Sequence, residues 1–531
     1  MSGHDGTLRQ LRVLAILPPV KKERATYILQ LVEAAKERWD WTLNVVCADA
    51  DAKPFERLIA PEGRYYWRPP QLKVADWERD PDMVAAVERR LREAERATGL
   101  PIGRCILAGS HTIGRAFNAT VRYAPRYAIV RRVLKNNMES ALIVRRLFHF
   151  AEKLLDESRP DLIIAFEWAT AIHFVIWMAA QRRGIPCAAV RSSKILSGHA
   201  FWTTNRLMLN EAAINLGNTR RKSRAPVSDA AKSYIRAFRD KPRVIQYIAT
   251  KWEHRMGRSF FRWHLGYARL VVRELINTLK GQDRSLREPA IGRLFRFYRA
   301  TFLSFYHQRF FKILDEAALA QMKYVYFPMH KEAELALTFQ ATQCYDQRNT
   351  IRVLASVLPA GYKLLLREHR FNYGQRPTRV YRELAQIPNV VLIDAFDSQF
   401  KYLRHAELVV TEIGSSGWEA LLLGRRTLLL SNTFYEGSGL GVRVKDPSQL
   451  NAALLEMLSK PAVVDVHAHD HALGCMVDGE LETTFPASAD CLPAALEMLS
   501  KTVGPKLGSR DAQQYGRAQA ERSRERETQA T

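Results

Sequence analysis

Short apolar runs alternate with longer amphipathic stretches through the first third of the chain. The runs RVLAIL (12–17) and TLNVVCA (42–48) have the length and apolar content of strands, while YILQLVEAAKE (27–37) repeats its apolar residues with a helical period. A strand, a helix, a glycine stop and another strand follow over residues 160–191. Strands and helices that alternate in this way predict a parallel sheet.

The apolar segment Leu162–Ala180 is long enough to cross a bilayer. It carries Glu167 and His173, however, and titratable groups are costly in lipid. We therefore interpret it as a buried strand followed by a buried helix. The apolar stretch Val13–Leu17 near the N-terminus ends at two prolines and is too short for the core of a signal peptide, so no export signal is expected.

The alternation stops near residue 220 and returns at Lys323, where apolar strands and helices indicate a second doubly wound domain. The final residues have few apolar positions, which predicts a disordered tail. The predicted fold class is α/β, with two Rossmann-like domains and a basic helical insertion between them. The predicted boundaries are 1–219 for the N-terminal domain, 220–318 for the insertion, 319–503 for the C-terminal domain and 504–531 for the tail.

The net charge of +25 is concentrated in the predicted insertion. Residues 220–312 contain 23 Lys and Arg against 6 Asp and Glu, and Arg293, Arg296 and Arg299 recur every three residues among Phe and Tyr. One interpretation is a helical layer between the domains with solvated arginines. The other is a surface for an anionic membrane or glycan, because arginine with aromatic neighbours suits a headgroup interface. No nucleic-acid-binding motif appears, which disfavours DNA or RNA as the partner.

The six cysteines are scattered without a C-x-x-C pair, which argues against a zinc ribbon and a disulfide framework and favours the reducing cytoplasm. The sequence HAHDH (467–471) superficially suggests a metal site, but no second set of ligands accompanies it. We expect an exposed polar loop there and no metal.

A turn of small residues between a buried strand and a helix is the clearest candidate site. The strand ELVVTE leads to Gly414, Ser415, Ser416 and Gly417, where the helix begins. Small residues let backbone N–H groups approach an anion, and a helix N-terminus adds favourable partial charge, so a phosphate is expected there. The alternative is that the serines only cap the helix. Glu419 is either a ribose contact or an acid that favours the helix dipole.

Two further strands of the same domain end in polar residues. YKLLLREHR places Arg367 and His369 at the carboxyl end of a strand, which is where ligands bind in open α/β sheets, and cations there suit a diphosphate or a carboxylate. KYVYFPMHKEAE delivers His330 and Glu334 into a loop. That loop is interpreted either as a ligand contact or as ordinary surface.

These segments together resemble the capsule polysaccharide biosynthesis family, which includes Kdo-type transferases. The matching text is FPMHKEAE (327–334), GYKLLLREH (361–369), IPNV (387–390) and GSSGWEALLLGRR (414–426), in the family's order and spacing. The resemblance implies a GT-B architecture, a nucleotide-sugar donor held by the C-terminal domain, and transfer without an obligatory metal or other cofactor. It also implies that His369 contacts the donor phosphate and that Ser415, Ser416 and Glu419 belong to the donor turn. Arg370, Ala333 and Arg426 stand where the family has proline, which leaves the identity of the donor and the retention of activity open.

The N-terminal domain of such an enzyme faces the acceptor. Glu167, which follows the strand Leu162–Phe166, is our candidate for the carboxylate that deprotonates the acceptor hydroxyl, and the alternative is a buried carboxylate with a structural partner. The segment ILAGSHTIGRAF, with His111 and Arg115, is a candidate acceptor loop.

The function expected from these residues is that of a glycosyltransferase. It would move a sugar from a nucleotide-sugar donor to a surface (capsular) polysaccharide or a glycolipid, in the cytoplasm or peripherally on the inner face of the plasma membrane. Two alternatives stay open. One is a nucleotide-sugar epimerase of the same fold, and the other is a non-catalytic basic protein that binds a membrane or a nucleic acid.

Overall fold

The computed structural model describes residues 10–17, 22–48, 63–67, 75–101, 137–168, 170–242, 290–331, 336–344, 346–460 and 466–507, with isolated positions at 103, 268, 269, 272 and 276. The strands are β1 (Arg12–Ile16), β2 (Thr42–Ala48), β3 (Arg64–Trp67), β4 (Leu162–Phe166), β5 (Cys187–Ser192), β6 (His199–Thr203), β7 (Tyr324–Pro328), β8 (Lys363–Arg367), β9 (Val390–Ile393), β10 (Leu408–Thr411), β11 (Thr427–Leu429), β12 (Gly441–Arg443) and β13 (Phe485–Pro486).

The helices are α1 (Lys22–Trp39), α2 (Pro81–Thr98), α3 (Asn137–Ser158), α4 (Ala171–Arg182), α5 (Glu211–Lys222), α6 (Asp229–Asp240), α7 (Ala290–Gln308), α8 (Glu316–Gln321), α9 (Gln347–Val357), α10 (Thr378–Ala385), α11 (Gln399–His405), α12 (Ser415–Leu422), α13 (Leu450–Ser459) and α14 (Val466–Thr483), followed by a helix over residues 492–507. None of the helices in these ranges is long and apolar enough to cross a membrane. The segment Leu162–Ala180 forms β4 and most of α4, as its sequence predicts.

The chain forms two compact units. Unit 1 comprises Met1–Ile102, Leu142–Asn210 and Thr483–Thr531, and unit 2 comprises Gly103–Ala141 and Glu211–Glu482. The sheet of unit 1 has the strand order β13-β6-β5-β4-β1-β2-β3, in which β6 pairs antiparallel with β5 and β13 antiparallel with β6. The sheet of unit 2 has the order β12-β11-β10-β7-β8-β9 and is parallel throughout. The predicted fold class, α/β with two Rossmann-like domains, is confirmed by these two sheets.

The burial of both faces of the unit 2 sheet explains why its strands can be predicted from apolar runs in the sequence. Val325, Leu364 and Leu366 belong to a core cluster on one face of the sheet, whereas Tyr326 and Leu365 belong to a second cluster on the other face. A parallel sheet covered on both faces needs apolar residues at every position, so its strands appear as unbroken apolar runs.

The units divide the chain differently from the predicted boundaries. Residues after 482 join unit 1, because β13 pairs with β6 and the Trp202 indole donates to the carbonyl of Ala495 at 2.8 Å. The helix α5, most of which lies in the predicted N-terminal domain, and the helix α6 of the predicted insertion both belong to unit 2. The helix over 492–507 also extends past the predicted start of the tail at 504, and residues 508–531 lie outside the described ranges.

Candidate functional site

Three of the predicted segments meet at one edge of the sheet of unit 2. The neighbouring parallel strands β10, β7 and β8 end at the Gly414 turn, at His330 and at His369, respectively. From β7 the chain runs outward through β8 and β9, whereas β10, β11 and β12 lie on the other side, so the strand order reverses between β7 and β10. Ligands of open α/β sheets bind outside the carboxyl ends of the strands at such a switch point.

The helix α12 begins at this switch point without a side-chain cap. Gly414 is its N-cap residue, with φ at 174° in the extended region, and without a side chain it makes no side-chain cap hydrogen bond. Ser415 and Ser416 are half-buried, and neither hydroxyl has a hydrogen-bond partner within the described ranges. The interpretation of the serines as caps therefore does not hold in this structure. The orphan N–H groups of a helix N-terminus, with adjacent hydroxyls, form an arrangement that can take a phosphate.

Close approach, and not a special backbone conformation, requires glycine at the two ends of this turn. A Cβ at Gly414 would lie 2.6 Å from Cε1 of His330, and a Cβ at Gly417 would lie 2.0 Å from the hydroxyl of Tyr435. The Tyr435 side chain is fully buried and donates its hydroxyl to the carbonyl of Gly414 at 3.2 Å. The turn thus packs between an imidazole and a phenol, so the glycines serve internal packing whether or not an anion binds.

The backbone of His330 is fixed by two amide side chains. Its N–H donates to Gln347 Oε1 at 2.7 Å, and its carbonyl accepts from Gln347 Nε2 and from Asn372 Nδ2, each at 3.0 Å. On the ring, Nε2 lies 3.4 Å from the backbone N of Ile413. The imidazole is therefore held against the Gly414 turn. This contact brings together the predicted motifs at 327–334 and 414–426.

A buried ion pair, which the sequence analysis did not predict, organises the loop after β8. Glu368 and Arg376 are both fully buried, with Oε2 of Glu368 and Nε of Arg376 2.7 Å apart. The same carboxylate accepts from the Tyr381 hydroxyl at 2.8 Å, from Asn372 Nδ2 at 3.3 Å and from the backbone N–H of His369 at 2.7 Å. Burial acts to raise the pKa of Glu368, but Arg376 and these donors outweigh it and hold the pKa below its ordinary value.

The His369 imidazole is uncharged at neutral pH. Burial, with Lys331, Arg367 and Arg376 nearby, lowers its pKa to about 4, against the opposing effect of Glu368. It can therefore offer a phosphate a hydrogen bond from the uncharged ring.

Arg367 and Arg370 turn their guanidinium groups onto the loop after β9. Arg367 donates to the carbonyls of Ala395 and Asp397 at 2.7 and 3.0 Å, and Arg370 donates to Ala395 at 3.0 Å. The sequence predicts that the cations at this strand end hold a diphosphate or a carboxylate. The structure instead gives both a role within unit 2, and a ligand contact by Arg367 stays a prediction.

Glu419 lies inside unit 2. Its side chain is fully buried, and Oε2 accepts a short hydrogen bond from Nε2 of Gln399, whose Oε1 in turn accepts from Arg367 at 3.1 Å. A ribose contact would require this carboxylate to become accessible.

The C-terminal end of α12 is capped by side chains from two other helices. Arg239 of α6 donates through Nε to the carbonyl of Leu422 at 2.8 Å and pairs with Asp470 of α14, while Nε2 of His469 lies 2.6 Å from the carbonyl of Leu421. The expectation of an exposed loop at HAHDH is wrong, because this segment forms the first turns of α14 and His469 is buried against α12. No cluster of three potential metal ligands occurs within the described ranges.

In unit 1, Glu167 occupies the corresponding place at the switch point between β1 and β4. Its backbone has φ at +60°, which is uncommon for a residue other than glycine, and its carboxylate pairs with Arg24 at 2.8 Å. Burial acts to raise its pKa, but Arg24, Arg191 and Lys194 outweigh it and lower the pKa. A carboxylate stabilised in this way is a weaker base, so the geometry favours the structurally paired alternative over the general base.

Three predicted contacts lie outside the described residues, namely His111 and Arg115 of the acceptor loop and Glu334 of the loop after β7.

No family model and no curated protein matches the sequence. Among solved structures, the chain is similar to KpsC of Thermosulfurimonas dismutans, a beta Kdo 2,7 transferase, at 9% identity over 66% of this chain and 88% of that one, with a TM-score of 0.29. It is also similar to UDP-GlcNAc 2-epimerase of Methanocaldococcus jannaschii (13% identity, 88% and 99% coverage, TM-score 0.26) and to the spinosyn rhamnosyltransferase SpnG (11% identity, 90% and 98% coverage, TM-score 0.27). These likenesses are too distant to carry an argument about activity.

Proposed function

We propose that this protein is a GT-B glycosyltransferase that binds the diphosphate or phosphate of a nucleotide-sugar donor at the carboxyl ends of β10, β7 and β8. One observation carries the proposal. The helix α12 opens at the switch point with no side-chain cap, and two unbonded serine hydroxyls stand in its first turn. The motif resemblance over residues 327–426 supports the same assignment.

The chemistry of the proposed site follows from its groups. The N-terminal N–H groups of α12 and the hydroxyls of Ser415 and Ser416 would donate to phosphate oxygens, while the partial positive charge of the helix favours an anion. His369 is neutral and would add a hydrogen bond, and Lys331, at the start of the loop after β7, is one of the basic residues near His369. Stabilising the nucleotide phosphate lowers the barrier to its departure from the sugar, because charge develops on that group in the transition state.

The acceptor is proposed to be a surface polysaccharide, such as a capsule, or a glycolipid. This part of the proposal rests on the resemblance to the capsule polysaccharide biosynthesis family. The base that deprotonates the acceptor is left unassigned, since the ion pair with Arg24 makes Glu167 a poor candidate.

Isothermal titration of the full chain with CMP, UDP and GDP tests the donor site. We expect one nucleotide to bind, and both Ser416→Ala and His369→Ala to weaken it by about tenfold, since one hydrogen bond to a charged group contributes about 1.5 kcal/mol or more. The matched control is Ser356→Ala on α9, which removes an exposed hydroxyl of the same unit and should leave binding unchanged. If no nucleotide binds, or if all three variants bind like the parent, the proposal fails.

Product analysis separates a transferase from an epimerase that uses the same site. With the bound nucleotide's sugar as donor and no acceptor present, a transferase leaves the sugar's configuration unchanged. Conversion of the donor to an epimer under these conditions would replace the transferase proposal with the epimerase.

A further inference from the structure

The helix α7 exposes a stripe of aromatic side chains. Phe295, Tyr298, Phe302, Phe305 and Tyr306 are all exposed, with Phe295 and Phe302 at 69% and 70% of their full area. At ~100° of rotation per residue, the five side chains fall within an arc of about 100° along one side of the helix. They form a single apolar face, which we call the aromatic stripe.

The aromatic stripe points away from the unit on which α7 packs. On the opposite side of the helix, His307 is fully buried, with Nε2 2.8 Å from Oγ1 of Thr378 in α10. The backbone of Ala300 on that side lies so close to Gly374 that a Cβ on the glycine would be 1.9 Å from the Ala300 carbonyl oxygen. The helix is thus anchored to unit 2 by one side and presents the stripe with the other.

The stripe is larger than the apolar patches that a soluble protein usually leaves open. An aromatic side chain offers roughly 150–250 Å², so five that are about half exposed present on the order of 500 Å². Contiguous exposed patches above a few hundred Å² mark interaction surfaces. The stripe therefore needs an occupant.

Charge identifies the kind of occupant. Arg299 lies at the border of the stripe, and the guanidinium of Arg309 stacks on the ring of Tyr306, 3.7 Å from its centroid. Residues 290–312 contain five Lys and Arg and no Asp or Glu, within a stretch whose net charge is +17 (23 basic minus 6 acidic residues over 220–312). A second copy of the same surface would bring the same positive charge, whereas an anionic bilayer offers both apolar depth for the rings and negative charge for the arginines.

We propose that α7 docks the protein on an anionic membrane surface, with the aromatic stripe inserted at the level of the lipid headgroups and its arginines among the phosphates. This inference is independent of the donor site. Within the basic stretch 220–312, the proposal assigns membrane contact to one face of α7. Attachment then depends on the aromatic side chains as well as on the arginines.

Flotation of the full chain with vesicles tests the proposal. The vesicles contain phosphatidylcholine, with or without phosphatidylglycerol. We expect the protein to float with the anionic vesicles, less so at high salt because exposed charges are screened. Phe302→Ser combined with Phe305→Ser should reduce the bound fraction at least tenfold. The matched control combines Val353→Ser and Leu455→Ser, which remove exposed apolar side chains elsewhere in unit 2 and should float like the parent.

Three outcomes would overturn the proposal. The first is that the parent does not float with either kind of vesicle. The second is that the stripe variant floats like the control, provided that both have the parent's circular dichroism and melting temperature. The third is that, without lipid, the parent is a dimer and the stripe variant a monomer by light scattering, which would identify a second copy as the occupant. Because flotation needs no nucleotide, its result is independent of the donor-binding experiment.

Discussion

Replacing Arg376 with methionine should destabilise unit 2 by about 3–5 kcal/mol, the usual cost of removing one partner of a buried ion pair. The variant leaves the carboxylate of Glu368 fully buried without its cation. The Glu368 carboxylate would still accept hydrogen bonds from Tyr381, Asn372 and the backbone of His369. The loss of stability is therefore expected to be about 3 kcal/mol, the lower end of the usual cost. Protection of the β8 amides from hydrogen exchange measures the effect locally, which avoids assuming that a chain of two units unfolds in a single step.

The pH dependence of this effect has a defined sign. In the parent, the pKa of Glu368 is lowered in the folded state, so its contribution to stability is present above the ordinary pKa of a glutamate and is lost as the pH falls through the lowered value. Without Arg376, burial should instead raise that pKa, and the carboxyl can then become neutral in mildly acidic solution. The deficit of Arg376→Met relative to the parent should therefore shrink between pH 8 and pH 5.

Two further variants separate the buried charge from the loss of packing. Adding Glu368→Gln to Arg376→Met removes the unpaired charge and should recover at least about 1 kcal/mol, the cost of an uncompensated buried polar group. Arg352→Met breaks an exposed pair with Glu383 in the same unit and should cost no more than about 1 kcal/mol. The reasoning fails if Arg376→Met costs no more than Arg352→Met, or if the double variant is less stable than Arg376→Met alone.

Two other substitutions test the packing and the burial of single side chains. Gly417→Ala should cost about 1–3 kcal/mol because its Cβ would overlap the Tyr435 hydroxyl. Adding Tyr435→Phe to Gly417→Ala should restore part of the lost melting temperature. If Gly417→Ala alone melts at the parent's temperature, the observed contact is contradicted. His173 is fully buried and its pKa is lowered to about 4, chiefly by burial, so the stability of unit 1 should fall as the pH drops from about 6.5 towards 4, by at most roughly 1.4 kcal/mol per pH unit. His173→Phe should flatten that dependence, measured by exchange of the β4 amides after correction for intrinsic rates, and an unchanged slope would assign the dependence to other groups.

The fold and the location of the candidate site could be predicted because both depend on local patterns. The strands β4, β8 and β10 are apolar runs, and the small residues at Gly414 end one of them in the way a strand-to-helix turn requires. The order of the strands in the sheet then brings the ends of β10, β7 and β8 to one edge.

The partners of the polar side chains could not be predicted, because they are set by loops that fold back on themselves. Glu368 and Arg376 are eight residues apart, and only the turn between them brings the two charges together. The partners of Arg367 could not be predicted for the same reason. Its position at a strand end suggested a ligand contact, but its guanidinium donates to carbonyls of the loop after β9. For His469, the polar sequence around it suggested a loop, whereas its contact with α12 depends on a packing partner 48 residues away.

The return of the chain to the first sheet has a consequence for the order of assembly during synthesis. The strand β13 and the helix over 492–507 complete unit 1, although most of that unit is made before residue 211. Unit 2, by contrast, has its whole sheet within the continuous stretch Glu211–Glu482. Since domains fold as their residues leave the ribosome, the nascent protein should complete unit 2 first, while unit 1, most of which emerges earlier, waits for its last strand.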